Sequence, residues 1–240
     1  MGIKRRVLLI NEDSEQPQQF AWLPEWISSY ESPWSIFEKF KYANRATVMD
    51  LFELFGTSYS KGLKATHLSN RACNLLTLEG LDEILLTKSF GLSLKEVNRR
   101  NINMLTNILP EGDSRLYFHN ILRFCPECIK IGYHSIFHQF SLVHRCPFHN
   151  VSLVQGCPKC NRRMGYKLSD QDTKEPFRCK CGHLLFSLEN GQRYPSAWEK
   201  MNLENQSKPL EYWITFNLEN VREKNFFYFQ RDIDLKKMKV

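Results

Sequence analysis

Cys125-Pro126-Glu127-Cys128, Cys146-Pro147-Phe148-His149, Cys157-Pro158-Lys159-Cys160 and Cys179-Lys180-Cys181 stand in one stretch of a 240-residue chain and use seven of its eight cysteines. Two ligating side chains held by one short turn supply half of a tetrahedral coordination shell at little cost in chain entropy. Four such pairs imply two Zn²⁺ ions. A redox Cys-x-x-Cys would stand once, beside a βαβ pattern, and a disulfide framework would suit a secreted chain. After Met1-Gly2-Ile3-Lys4-Arg5-Arg6 the apolar run Val7 to Ile10 is too short for a signal peptide, so the chain reads as reduced and cytoplasmic. A catalytic zinc keeps a position open for water, whereas these pairs fill all four, and both ions are expected to be structural. Cys73, the remaining cysteine, reads as a core thiol.

Two pairings of the half-sites are open. Neighbouring pairs would give Cys125, Cys128, Cys146 and His149 around one ion and Cys157, Cys160, Cys179 and Cys181 around the other. A cross-brace would join the first pair to the third and the second to the fourth, as in RING domains. The seven residues between His149 and Cys157 exceed the spacer of such a cross-brace and favour the sequential arrangement. His134, His138, His144 and His183 are spare ligands, ranked below the paired residues. Tyr133, His134, His138 and Gln139 lie between the first two half-sites. They are expected to pack and hydrogen-bond around the ligands, the alternative being that they face a partner.

A hydrophobic content of 42%, with 13% aromatic, supplies real cores and excludes a disordered chain. No apolar run reaches the ~18 residues of a membrane span. A net charge of +7 favours a polyanionic partner, most economically nucleic acid, over a merely solvated basic surface. Lys159, Arg162, Arg163 and Lys167 cluster around the third half-site and are candidate phosphate contacts, or equally a solvated face. No Gly-x-x-x-x-Gly-Lys-Ser/Thr loop, Gly-x-Ser-x-Gly elbow or His-Glu-x-x-His motif is present, and no carboxylate triad can be nominated from spacing, so no enzyme is expected.

The first hundred residues read as helical. Ser32-Pro33 is an N-cap followed by proline at the first helical position, with Trp34, Phe37 and Phe40 on one face. Thr47 and Asp50 begin a second helix in which Val48, Leu51, Phe52 and Phe55 follow the helical period until Gly56. Residues 57–69 read as a loop. A third helix is expected from Thr77 to Phe90 through Leu81, Ile84 and Leu85, with Gly91 as its C-terminal cap. Ser93-Leu94-Lys95-Glu96 is a capping box that starts another helix two residues later. Thr87, Gly91 and a buried Val97 fit the packing of a helix-turn-helix, and Lys95, Asn98, Arg99 and Arg100 would then face outward as nucleic-acid contacts.

The run Phe124-Cys125-Pro126-Glu127-Cys128-Ile129, Gly132-Tyr133-His134, His138-Gln139, Leu142 to His149, Leu153, Gly156 to Cys160 and Cys179 to Gly182 resembles the TniQ/TnsD family of transposition target selectors. Glu31-Ser32-Pro33-Trp34-Ser35 through Lys39 to Ala43-Asn44 is similar to the family's N-terminal Glu-Ser…Ser…Arg…Asn signature, with Lys39 where arginine is usual and Ile36 where tryptophan is frequent. The likeness spans roughly residues 20–190. It implies a bacterial mobile-element protein that does no chemistry. Such a protein would select a DNA target directly or through an RNA-guided CRISPR complex and recruit an AAA+ ATPase that engages the transposase. The larger members carry long C-terminal DNA-binding regions that would make this chain a short or shortened one. A second copy of the chain, as a homodimer, and other transposition proteins are further partners to test; a membrane is not. The location implied is the cytoplasm, with nucleoid association when DNA is bound. The same parts without an ATPase would make a zinc-finger transcription regulator, and without nucleic acid a zinc-dependent interaction scaffold.

The expected fold is mainly α with small zinc-stabilised β units. A helical region over residues 1–122, with its helix-turn-helix-like segment near 77–101, precedes a double zinc module over 123–190 made of two zinc-ribbon-like fingers. An extension over 191–240 carries Tyr194, Trp198, Tyr212, Trp213, Phe216, Phe226, Phe227, Tyr228 and Phe229, which are expected to pack against the helical half rather than stack on bases.

Overall fold

The computed structural model describes residues 20–63, 69–106, 113–170 and 173–187, together with Trp198. Helix dominates these residues and sheet is confined to two short ladders. No described helix is long and apolar enough to cross a membrane.

In helix α1 (Pro33–Asn44) every residue from Pro33 to Lys41 is buried. Pro33 fixes φ at the first helical position and needs no amide partner there. Ser32 does not cap the helix with its side chain; its hydroxyl turns instead to His134, 2.6 Å away. Arg45, with φ 54°, closes the helix and returns its N–H to the Lys41 and Tyr42 carbonyls. On the apolar side Phe40 lies 5.3 Å, ring to ring, from each of Phe20, Phe55 and Phe90. Such edge-on and tilted contacts add to the burial gain of the rings. The opposite side carries Ser35, Glu38, Lys39 and Lys41, and it is buried as well.

Helix α2 (Val48–Phe55) starts at the expected reciprocal cap: Thr47 accepts from the Asp50 N–H, and Asp50 accepts from the Thr47 N–H. Val48, Leu51, Phe52 and Phe55 are buried, and the chain leaves at Gly56, where a Cβ would stand 2.2 Å from the Phe52 carbonyl oxygen.

The third helix is shorter than its apolar period suggests. Helix α3 is Glu83–Phe90, capped by the Asp82 side chain on the Leu85 N–H and ended by Gly91 at φ 77°. Residues 77–82 instead form turns: Leu78 is left-handed at φ 55°, Gly80 packs against the Ala72 backbone, and Leu81 pairs with Gly56. Ile84 is exposed rather than buried.

Three residues then connect α3 to helix α4 (Leu94–Thr106), with the Ser93 hydroxyl accepting from the Glu96 N–H as a cap should. The face of α4 differs from the expected one. Leu94, Asn98, Asn101, Ile102 and Leu105 are buried, whereas Val97 is only half-buried. Asn98 is therefore not an outward contact: its amide donates to the carbonyls of Leu75 and Leu76. Asn98→Ala should leave both carbonyls short of a donor and cost about 1–3 kcal/mol of stability, read as a lowered urea midpoint. An unchanged midpoint would contradict this role.

Two cores interleave the chain. One combines α1, α2 and α3 with Met164, Tyr166, Leu168, Phe177, Leu185 and Phe186 from the cysteine-rich half. The other combines Ile102 and Leu105 of α4 with Phe118, Tyr133, Phe137, Phe140 and the sulfurs of the first half-sites. Both cores cross the division expected at residues 122 and 123. Strand β1 (Arg123–Phe124) pairs antiparallel with β2 (Val154–Gln155), and β3 (Thr173–Glu175) with β4 (Arg178–Cys179). Of the aromatic extension only Trp198 lies within the described residues; it is buried against Trp26, Tyr42 and Phe177. Tyr194 and the other aromatics of 212–229 lie outside them. Cys73 is buried in the first core, where loss of solvation raises its pKa.

Candidate metal centres

The first centre grows from two turns. Cys125 follows β1 and caps helix α5 (Pro126–Lys130), its sulfur accepting from the Cys128 N–H, so a single helical turn brings both thiols to one side. The other half-site is a tight knuckle in which Asn150, at φ 51°, donates its N–H to Cys146 O, and Cys146 donates to Val151 O. Together they place the ligand atoms of Cys125, Cys128, Cys146 and His149 within 4.8 Å of one another. The Cys128 and Cys146 sulfurs are 3.6 Å apart, and His149 Nδ1 lies 3.3 to 3.7 Å from the three sulfurs. A regular tetrahedron with metal–sulfur bonds of ~2.3 Å and metal–nitrogen bonds of ~2.0–2.1 Å has edges of about 3.8 Å and about 3.6 Å. The donors thus fit one tetrahedral ion. Hydrogen bonding with the Cys128 and Cys146 thiols holds the Cys125 thiol well below its ordinary value, and the same crowding pushes Cys128 up.

Around these ligands a polar layer is sealed from solvent. Helix α6 (Ile136–Gln139) begins with a reciprocal cap between Ser135 and His138. His138 Nδ1 accepts from the Ser135 N–H, which leaves the proton on Nε2, 3.5 Å from the Cys146 sulfur. An N–H aimed at a thiolate draws off part of its charge. His138 thus supports a ligand instead of replacing one. The ring nitrogens of His134 are likewise assigned by their partners: Nε2–H donates to Arg123 O at 2.6 Å, so Nδ1 accepts the Ser32 hydroxyl. Gln139 accepts from the Arg123 N–H and donates to His119 O and Ile121 O, and Tyr133 donates its hydroxyl to Ser29 O. All four residues of this segment pack inward.

Burial lowers the His134 pKa to about 4. The unfolded imidazole takes up its proton near pH ~6.5. Stability from this residue is therefore complete above that value and is lost as pH falls through the folded one. Urea titrations of His134→Gln should show a shallower fall in stability between these pH values than the wild-type chain. Protonation of the metal ligands is common to both proteins and cancels in the difference; identical slopes would refute the assignment.

The network reaches α1. Lys39 sits 2.8 Å from the Glu31 carboxylate and donates to Trp26 O, while Glu31 also accepts from the Ser28 N–H and the Ser35 hydroxyl. Desolvation lowers the Lys39 pKa against the pull of Glu31. Glu31 further bridges to the Ser135 backbone. Glu31, Ser32 and Ser35 therefore tie the start of the helix to the His134–Ser135 segment beside the first centre, while Glu38 accepts from the Phe177 N–H near the second.

The second centre is built from Cys157, Cys160, Cys179 and Cys181, whose sulfurs also lie within 4.8 Å of one another. Asn161 (φ 56°) returns its N–H to Cys157 O, and Cys157 donates to Arg162 O; in the opposite turn Gly182 donates to Cys179 O, and Cys179 donates to His183 O. Cys157 and Cys181 approach to 3.6 Å, as do Cys160 and Cys179. Cys157 and Cys179 are buried, but Cys160 and Cys181 are exposed. The His183 backbone amide lowers the Cys181 pKa to about 7. His144 and His183 belong to neither group. The two sets are those of sequential pairing, and each could hold one metal ion. The β1–β2 ladder ends immediately before Cys125 and shortly before Cys157, joining the two centres.

The candidate nucleic-acid contacts divide. Arg99 and Arg100 are exposed, Lys95 is half-buried, and Arg99 is held in a bidentate pair by Glu96. Lys159, Arg162 and Arg163 are exposed around the second centre, whereas Lys167 is half-buried, its backbone bridged to Asn74. Neither a protein-family model nor a curated protein matches the chain.

Proposed function

We propose that this protein is a non-catalytic target-site selector and adaptor for DNA transposition, held in shape by two structural zinc ions. The observation that carries the reading is the convergence of two segments about a hundred positions apart. Ser32 meets His134, and Glu31 bridges to Ser135. These are the segments through which the sequence resembles the TniQ/TnsD target selectors, so the resemblance describes one connected unit. Thiolate-rich tetrahedral donor sets suit zinc, and four protein ligands at each ion leave no position for substrate water. Coordination fixes the knuckles rigidly, which suits side chains that must dock on DNA, an AAA+ ATPase or an RNA-guided CRISPR complex.

In this reading α3 and α4 form a helix-turn-helix-like pair within the helical half, and the chain acts in the cytoplasm on nucleoid DNA. A tagged chain recovered from its native host under conditions that preserve ATP-bound assemblies should bring down an AAA+ ATPase, with or without a CRISPR ribonucleoprotein. Recovery of specific DNA with no ATPase would replace the reading with a transcription regulator. Recovery of proteins alone would replace it with an interaction scaffold.

A further inference from the structure

We propose that the outer tip of the second metal centre, formed by Lys159, Arg162, Arg163 and Lys180, docks on the phosphate backbone of duplex DNA. Three features of the structure converge there. Coordination geometry assembles the tip: Lys159 precedes the ligand Cys160, Lys180 stands between Cys179 and Cys181, and the four sulfurs lie within 4.8 Å of one another. The knuckle turn adds Arg162, whose carbonyl accepts from the Cys157 N–H at 2.9 Å, and Arg163 follows it. The half-sites that carry Lys159 and Lys180 are thereby brought together, with the Cys160 and Cys179 sulfurs 3.6 Å apart, and the sequence pattern around the third half-site does not include Lys180.

All four cations are exposed, and among the described residues none has an ion-pair partner. The described acids between Cys157 and Gly182 are committed elsewhere, Asp170 to Lys41 and Glu175 to Arg178. Four thiolates around one Zn²⁺ leave a formal excess of two negative charges, which the four cations exceed. On α4, by contrast, Arg99 is already neutralised by Glu96, Asn98 is buried and Lys95 is half-buried. The root of the tip is firm, because Phe177 is buried beside Trp34 and donates its N–H to Glu38 of α1. The held backbone sets where these unpaired cations stand, and the counterions released when they meet a row of phosphates drive the association. The choice of duplex DNA over other polyanions rests on the target-selector reading.

The test uses the full chain with both ions, titrated into a labelled random-sequence DNA duplex and, separately, a single-stranded RNA of equal length. Four phosphate contacts should contribute about −3.6 to the slope of log affinity against log salt, a loss on the order of 10²-fold between about 50 and about 200 mM. The variant with Lys159, Arg162, Arg163 and Lys180 all replaced by glutamine should lose that contribution while retaining two metal ions per chain. Should it misfold, Lys159→Gln and Lys180→Gln taken singly should each remove about 0.9 from the slope. An unchanged slope, a loss seen instead with Arg99→Gln and Arg100→Gln, or binding confined to RNA would overturn the proposal. Recovery of the ATPase without a tip effect would leave the selector reading standing and remove this one. A tip effect without the ATPase would do the reverse.

Discussion

Cys128→Ser is expected to lose one metal ion per chain and, with it, the second core. The Cys128 sulfur is fully buried and touches both Cys146 and His149. Structural zinc supplies ~10–16 kcal/mol of apparent folding free energy in small finger peptides. Whole domains retain only ~5–15 kcal/mol. The residues that depend on this ion include Ile102, Leu105, Phe137 and Phe140, so α4 should lose its packing as well. Metal analysis should find about one ion per chain, and near-ultraviolet circular dichroism should fall. Cys181→Ser removes a ligand at the exposed rim of the other centre and should also leave about one ion, but with the helical signal retained. Two ions retained in either variant would refute that centre, and equal structural losses would refute the difference between them.

Glu31→Ala should destabilise the fold by about 3–5 kcal/mol, because it strands the buried Lys39 ammonium without its counter-charge. The loss also removes the carboxylate that accepts from the Ser28 N–H and from the Ser35 hydroxyl. Attraction between the partners is offset by the cost of desolvating both, so removing one is worse than removing the pair. The double variant Glu31→Leu with Lys39→Met should accordingly unfold at higher denaturant than Glu31→Ala alone. A double variant as weak as the sum of its singles would show that the other hydrogen bonds of these residues matter more than the ion pair.

The two Cys/His groups that could hold metal and the starts of α1 and α2 were legible from sequence because each is set by local spacing. A half-site needs one turn, and Thr47 with Asp50 closes its cap within four residues. Gly91 marks the end of α3 for the same reason. The beginning of α3 was hidden, because Leu81 fits a helical period yet is held by pairing with Gly56, a contact across the chain. Asn98 does not face outward as expected, and the polar side of α1 is buried too, because periodicity alone places polar residues toward water. Here Asn98 meets the Leu75 and Leu76 carbonyls, Lys39 meets Glu31, and Ser32 meets His134. The resemblance picked out the Glu31 and His134 segments without saying that they touch. Nothing in a local pattern could have joined the half-site of Lys180 to that of Lys159, since the Cys160 and Cys179 sulfurs meet only in the folded chain.

The burial of both sides of α1 bears on how the protein is made. Ser32 waits for a partner 102 residues later, and Glu38 for the Phe177 amide 139 residues later. At translation speeds of ~5–20 residues per second, α1 leaves the ribosome roughly 5–30 s before its polar side can be covered. Its charges keep the nascent segment hydrated during that delay, while Trp34, Phe37 and Phe40 already call for shelter. Among the described α-helices, the earliest to be synthesised is thus among the last to be enclosed.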